Sequence, residues 1–138
     1  VIDVEATLRA VLVKRMPAGT NIFAAANLPA GYTPTATGPA VLFQQRGGTQ
    51  PYHSRTLKSS VQFRCYGPNE AEARKLDRTL FDALNDVQAF EGLQNARCAV
   101  VGQLLVEPQT EWRFVLSFWD VFLKNSYRET SVLLVLAN

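Results

Sequence analysis

The chain has 138 residues, 47% hydrophobic and 19% charged, with 7 prolines, 8 glycines and a formal net charge of +2. These proportions describe a single soluble globular domain and exclude disordered, collagen-like and disulfide-scaffold chains; folding at this length buries about two thirds of the chain's surface, enough for an unstapled apolar core. The small net charge hides an asymmetry: no acid lies between Glu5 and Glu70, where Arg9, Lys14, Arg15, Arg46, Arg55, Lys58 and Arg64 add +7, whereas residues 70–138 carry −3.

Val4, Leu8, Val11 and Leu12 form one apolar stripe and predict a helix from about Asp3 to Met16. Asp3 caps its start, Lys14 and Arg15 complement its C-terminal dipole, and Pro17 with Gly19 stops it. Ala18 to Gly38 reads as a long ordered loop or arm that wraps the domain or reaches a neighbour. Ala40 to Arg46 is a short strand closed by the breaker cluster Gly47-Gly48-Thr49-Gln50-Pro51. A second strand, about Lys58 to Gly67, alternates Val61, Phe63 and Cys65 with Gln62, Arg64 and Tyr66, so one of its faces is buried. The two form a hairpin with a long tip.

Asn69 with Glu72 resembles a capping box. It opens a helix whose apolar face is Ala73, Leu76, Leu80, Leu84 and Val87 and which ends before Gly92. Cys98 to Val106 and Glu111 to Lys124 are the last two strands, joined by a tight turn at Pro108-Gln109-Thr110. The final strand is apolar on both sides, with Trp112, Phe114, Leu116 and Phe118 on one and Val115, Trp119, Val121 and Leu123 on the other, so its second face also needs a cover. The expected architecture is α+β, a single domain over residues 1–124 in the order αββαββ, with a mostly antiparallel sheet and helices packed on it. Residues 125–138 form a tail whose run Val132-Leu133-Leu134-Val135-Leu136 must be buried or added to a partner sheet.

Little in the sequence carries chemistry. The first residues hold no uninterrupted apolar stretch, so no signal peptide is expected, and the longest apolar run is far short of the roughly 20 residues a membrane helix needs. Cys65 and Cys98 stand apart in apolar contexts and read as buried free thiols in a reducing compartment, with a disulfide between them as the lesser reading. His53 is the sole histidine, and with Cys65 and Cys98 it lacks zinc-site spacing. The acid-free stretch around it offers no orienting carboxylate for a nucleophile. Gly47-Gly48 precedes no helix and lacks the lysine of a phosphate loop. No catalytic residue, metal or cofactor is expected. What remains is a basic and aromatic group, Arg46, Tyr52, His53, Arg55, Lys58 and Arg64, which fits phosphate backbones, a solvated hairpin, or a complementary interface between copies.

Ile22-Phe23, Leu28-Pro29, Pro39-Ala40-Val41-Leu42-Phe43-Gln44 with Gly47-Gly48-Thr49, and Val61-Gln62-Phe63-Arg64-Cys65-Tyr66-Gly67 leading into Asn69-Glu70-Ala71-Glu72-Ala73 together resemble the tail terminator and tail completion proteins of long-tailed bacteriophages. The resemblance spans roughly residues 3–124 in element order, and the strand running into an Ala/Glu-rich helix is its most specific part. The stretch Ala30 to Gly38 and the apolar tail exceed the family pattern. The resemblance implies a virion protein at the head-proximal end of the tail, built in the host cytoplasm as a hexameric ring that caps the tail tube, stops its polymerisation and presents the head-joining surface. Its implied partners are other copies of the chain, the major tail tube protein, a head-completion or neck protein, and DNA passing through the lumen without sequence specificity, with no membrane. Arg46, Tyr52, His53, Arg55, Lys58 and Arg64 would face the lumen or the tail ring, and Leu28, Tyr32, Trp119, Val132, Leu133, Leu134 and Val135 would make subunit or head-side contacts. A neck connector, or a small nucleic-acid-binding module using the basic hairpin, are the alternatives.

Overall fold

The computed structural model describes residues 4–25, 27–49, 56–85, 93–108 and 110–124. The first apolar stripe builds α1 (Val4–Arg15), with Val4, Leu8, Val11 and Leu12 all buried. There follow β1 (Asn21–Ala24), β2 (Ala40–Thr49), β3 (Thr56–Tyr66), α2 (Glu70–Asn85), β4 (Leu93–Val106) and β5 (Arg113–Lys124). The fold is α+β as expected, but its order is αβββαββ. The added strand, β1, lies inside the stretch read as a loop. It is only four residues long, too short to show an alternation, and it pairs parallel to β2 from Asn21 beside Ala40 to Ala24 beside Phe43.

The sheet runs β1-β2-β3-β5-β4, antiparallel except for that first pair. Parallel neighbours need a crossover of about a dozen residues or more, which is what residues 25–39 supply. Asn21 closes its base: its backbone N–H donates to the Pro39 carbonyl, and its Nδ2 donates to the carbonyls of Thr37 and Pro39 at 3.1 and 3.2 Å.

Both helices lie on one side of the sheet. There α1, together with Ala73, Leu76, Leu80 and Leu84 of α2, packs on Val41, Phe43, Val61, Phe63, Cys65, Val115, Trp119, Val121 and Leu123. Each side chain of this size moved fully out of water contributes about 1.5–3 kcal/mol before entropy is counted. The Arg15 Nε donates to the Ala83 carbonyl at 2.9 Å, tying the end of α1 to the last turn of α2. Asn69 caps α2, its side-chain oxygen accepting from the Glu72 N–H at 2.9 Å. Val87 and the expected end of this helix near Gly92 lie outside the described residues, as do the hairpin tip at 50–55 and the tail at 125–138.

Two boundaries moved for local reasons. Gly47 takes φ of 114°, a left-handed value that lets β2 continue through a bulge between Gln45 and Gly48 instead of ending at Arg46. The Ser59 hydroxyl donates to the Gly47 carbonyl left over at that bulge, at 3.0 Å. Strand β4 starts five residues before the expected Cys98, because Leu93 and Ala96 are drawn into the core opposite Leu123 and Val121. At the other end of the hairpin, Gly67 lets the chain pass directly against α2. A β-carbon there would stand 2.7 Å from the Ala73 backbone nitrogen. Gly67→Ala is therefore expected to lose about 1–3 kcal/mol, the usual cost of overpacking, measured by chemical denaturation; an unchanged midpoint would contradict the close packing.

Candidate interaction surface

The face of the sheet opposite the helices is set by the alternation of β3 and β5, with bulges shifting the register of β2 and β4. Across it, Ala40, Tyr66, Phe114 and Leu105 stand in one row, and the rows beyond are Leu42, Arg64, Leu116 and Gln103, then Gln44, Gln62, Phe118 and Val100. Farther toward the hairpin tip come Ser60, Asp120 and Arg97, then Lys58, Phe122 and Asn95. Strand β5, central and apolar on both sides, dictates that this face also needs a cover.

Part of the cover comes from the arm. Tyr32 is 5% exposed and sits on the first rows with Ala40, Leu42, Tyr66 and Phe114, and Phe23, Leu28, Trp112 and Leu116 pack around it. Its ring meets those of Phe23, Tyr66 and Trp112 edge-on, with centroids 6.0, 6.5 and 5.8 Å away, a geometry the ring quadrupoles favour. The Tyr32 hydroxyl donates to the Gly38 carbonyl at 2.6 Å. Burial, reinforced by the neighbouring Tyr66, pushes the Tyr32 phenol up to about 12. Tyr66 is also raised by burial, partly offset by its hydrogen bond with Arg64.

Arginines lie over the phenylalanines of this face. The guanidinium carbon of Arg46 lies 4.9 Å from the centre of the Phe118 ring, that of Arg64 5.4 Å from Phe114, and that of Arg97 5.8 Å from Phe122. With its amide turned so that both groups are satisfied, the Gln62 oxygen accepts from Arg64 at 3.0 and 3.2 Å.

Of the residues expected to form the basic group, the structure gathers Arg46, Lys58 and Arg64 on this face; Tyr52, His53 and Arg55 lie outside the described residues. Arg97, from the acidic half of the sequence, joins them. Nothing near Arg97 in the chain announces this, since its neighbours across the sheet come from β5; only the register of β4 on β5 brings it here. Among the expected contact residues, Leu28 and Tyr32 pack on this chain's own sheet. Trp119 is 1% exposed on the helix side, its ring 5.4 Å from Phe81 of α2. Odd positions of β5 point toward the helices, so Trp119 belongs to the domain's own core. Val132, Leu133, Leu134 and Val135 lie outside the described residues.

Strand β4 is the second feature of this surface. It is a 14-residue edge strand, and among the described residues no strand pairs with its outer side. Val100, Val101, Leu105 and Val106 on it are 40, 77, 39 and 52% exposed. Register shifts between Cys98 and Gln103 bulge it, and the Cys98 thiol, half-buried and free, contacts the Val100 carbonyl at 3.4 Å. Cys65 is also free and fully buried. Burial raises both thiols, and the nearby Asp77 carboxylate adds to it. Asp77 is itself raised by burial between α2 and Gly102 of β4.

A cleft of about 230 Å³ between the arm and the start of α2 contains Glu70, already engaged by Arg74 and Arg113 at 3.2 and 3.3 Å. A second, of about 290 Å³, lies between Pro17, Thr20 and Leu76. Among the described residues no three His, Cys, Asp or Glu side chains gather to hold a metal, and no helix is long and apolar enough to cross a membrane. No protein-family model matches the chain, and no curated protein matches it by sequence.

Two outcomes follow from the arm and the helix side. The fold favours neutral Tyr32, so its stability contribution is complete below the ordinary value of 10.0 and is lost as pH rises toward about 12. Tyr32→Phe should remove that alkaline loss while costing about 1 kcal/mol at neutral pH; equal alkaline melting profiles for the two proteins would contradict it. The raised Asp77 works in the same sense at acid pH: stability falls as pH rises from its ordinary value of 3.8 through the raised one. Asp77→Asn should melt higher than the parent at neutral pH and lose that advantage in acid.

Proposed function

We propose that this chain is a structural assembly subunit that joins copies of itself into a closed ring, in the manner of the phage tail terminator and tail completion proteins it resembles. In that role the ring, hexameric in such proteins, caps the tail tube, stops its polymerisation and offers the surface that joins the head. The observation that supports this most is the β4 edge: a long strand whose outer side no strand pairs with among the described residues, and which carries four exposed apolar residues. Proteins ordinarily shorten, charge or cover such edges, because an open one recruits another chain. Here the bulge interrupts the strand and Arg97 and Gln103 are exposed on it, but Val100, Val101, Leu105 and Val106 remain exposed beside them. The far edge of the sheet is the four-residue β1. Unlike edges suit head-to-tail contacts, which close into rings when the rotation permits.

In this reading the sheet's open face, with Arg46, Lys58 and Arg64, turns toward the lumen or the adjoining tail ring, and the chain resides at the head-proximal end of the virion's tail. A neck connector would use the same ring on the other side of the joint. Sedimentation over a wide concentration range, with negative-stain microscopy of the largest species, tests the ring. The parent should build concentration-dependent closed rings. Val101→Gln with Val106→Gln places amides without partners in the contact, at a cost of about 1–3 kcal/mol, and should weaken assembly about tenfold or more without lowering the melting temperature. A parent that stays monomeric at all concentrations, or stops at a dimer, contradicts the proposal. Particles assembled without the protein should carry overlong or unjoined tails; normal joined tails would refute the terminator role.

A further inference from the structure

The cation-lined part of the open face is not explained by an apolar contact along β4. Phe114, Phe118 and Phe122 repeat every fourth residue along β5 on one side of the sheet, a spacing of about 13 Å per step. Each has an arginine over it, from β3, β2 and β4 in turn. Lys58 stands exposed across from Phe122. Among the described residues Asp120 is the one carboxylate in the rows that carry these cations, and Glu107 lies beyond them, beside Tyr66 at the arm end of the face. Four cations thus share these rows with a single acid.

A guanidinium resting on a phenyl ring is ordered before any ligand arrives, and its fork of N–H donors suits phosphate oxygens. The geometry points to this face as a contact surface for the phosphate backbone of double-stranded DNA, held without reading sequence. The inference rests on the ring reading only for its orientation toward a lumen; the affinity belongs to the face itself. Three observations favour this occupant. The charge is complementary to a polyanion. A protein partner draws its affinity from anchors seated in central pockets, whereas the rings here are roofed by arginines, and Gln44, Ser60 and Gln62 stand among them alongside Leu116 and the exposed Val100. Single-stranded nucleic acid binds by stacking bases on open aromatic faces, and these faces are occupied by guanidinium groups.

The test is fluorescence anisotropy of a labelled duplex of about 20 base pairs at salt from about 50 to about 200 mM, where four phosphate contacts should lower affinity about 100-fold. Arg46→Gln, Arg64→Gln and Arg97→Gln combined should reduce the salt slope from about four ions toward one, with its own melting curve showing that it folds. The Val101→Gln, Val106→Gln protein should bind duplex with the parent's slope when both are compared as dilute monomers. A slope unchanged in the triple arginine variant overturns the inference, as does tighter binding of a single strand of the same length, or of poly-glutamate of equal charge. Rings without arginine-dependent duplex binding remove this inference and leave the assembly reading standing. Arginine-dependent binding by a chain that never forms rings does the reverse.

Discussion

Strand β5 is apolar on both sides and lies inside the sheet, between β3 and β4. A strand of that kind is stable only if both faces of the sheet are shielded from water. Two helices shield one. The other receives an arm whose length is that of a parallel crossover from β1 to β2, and arginine side chains laid over phenylalanines, at Phe114 beside the arm and at Phe118 and Phe122 farther along. The second aromatic cluster, the buried Tyr32 phenol and the three cation–π pairs are all answers to the same demand.

That demand also changes what the charge asymmetry means. Along the sequence the cations precede the acids, which invites a division into a basic half and an acidic half. In the fold the relevant division is between faces. Arg97 crosses from the nominally acidic half to stand with Arg46, Lys58 and Arg64, while Glu70, Glu72, Asp77 and Asp82 ride on α2 on the other side of the sheet. Arg15 illustrates the same point on a small scale. Read as a complement to its own helix dipole, it also binds a carbonyl of the other helix.

Much of the fold was legible because the periodicities were long and unbroken: both helices, the hairpin strands and the two-faced last strand follow directly from spacing. The misses have separate physical causes. Four residues of β1 cannot display a period, and their partner lies across a crossover. Gly47-Gly48 carries the composition of a turn but the geometry of a bulge, and Ser59, which satisfies that bulge, is 12 positions away. Trp119 was correctly placed on one side of β5, yet sequence alone did not say which side the helices take. The candidate surface was half legible: Arg46, Lys58 and Arg64 by their gathering around one hairpin, but not Arg97 or the phenylalanines beneath the guanidinium groups, which depend on register between strands distant in sequence.

Among the described residues the outer side of β4 pairs with no strand, and the account of function turns on that edge. Hydrogen exchange along β4, compared between dilute and concentrated protein, tests it most directly. The account predicts that those amides between Val100 and Val106 that point away from β5 exchange freely when dilute and become protected on concentration, while the core amides of β3 and β5 are unchanged. Equal exchange along β4 at both concentrations would contradict it.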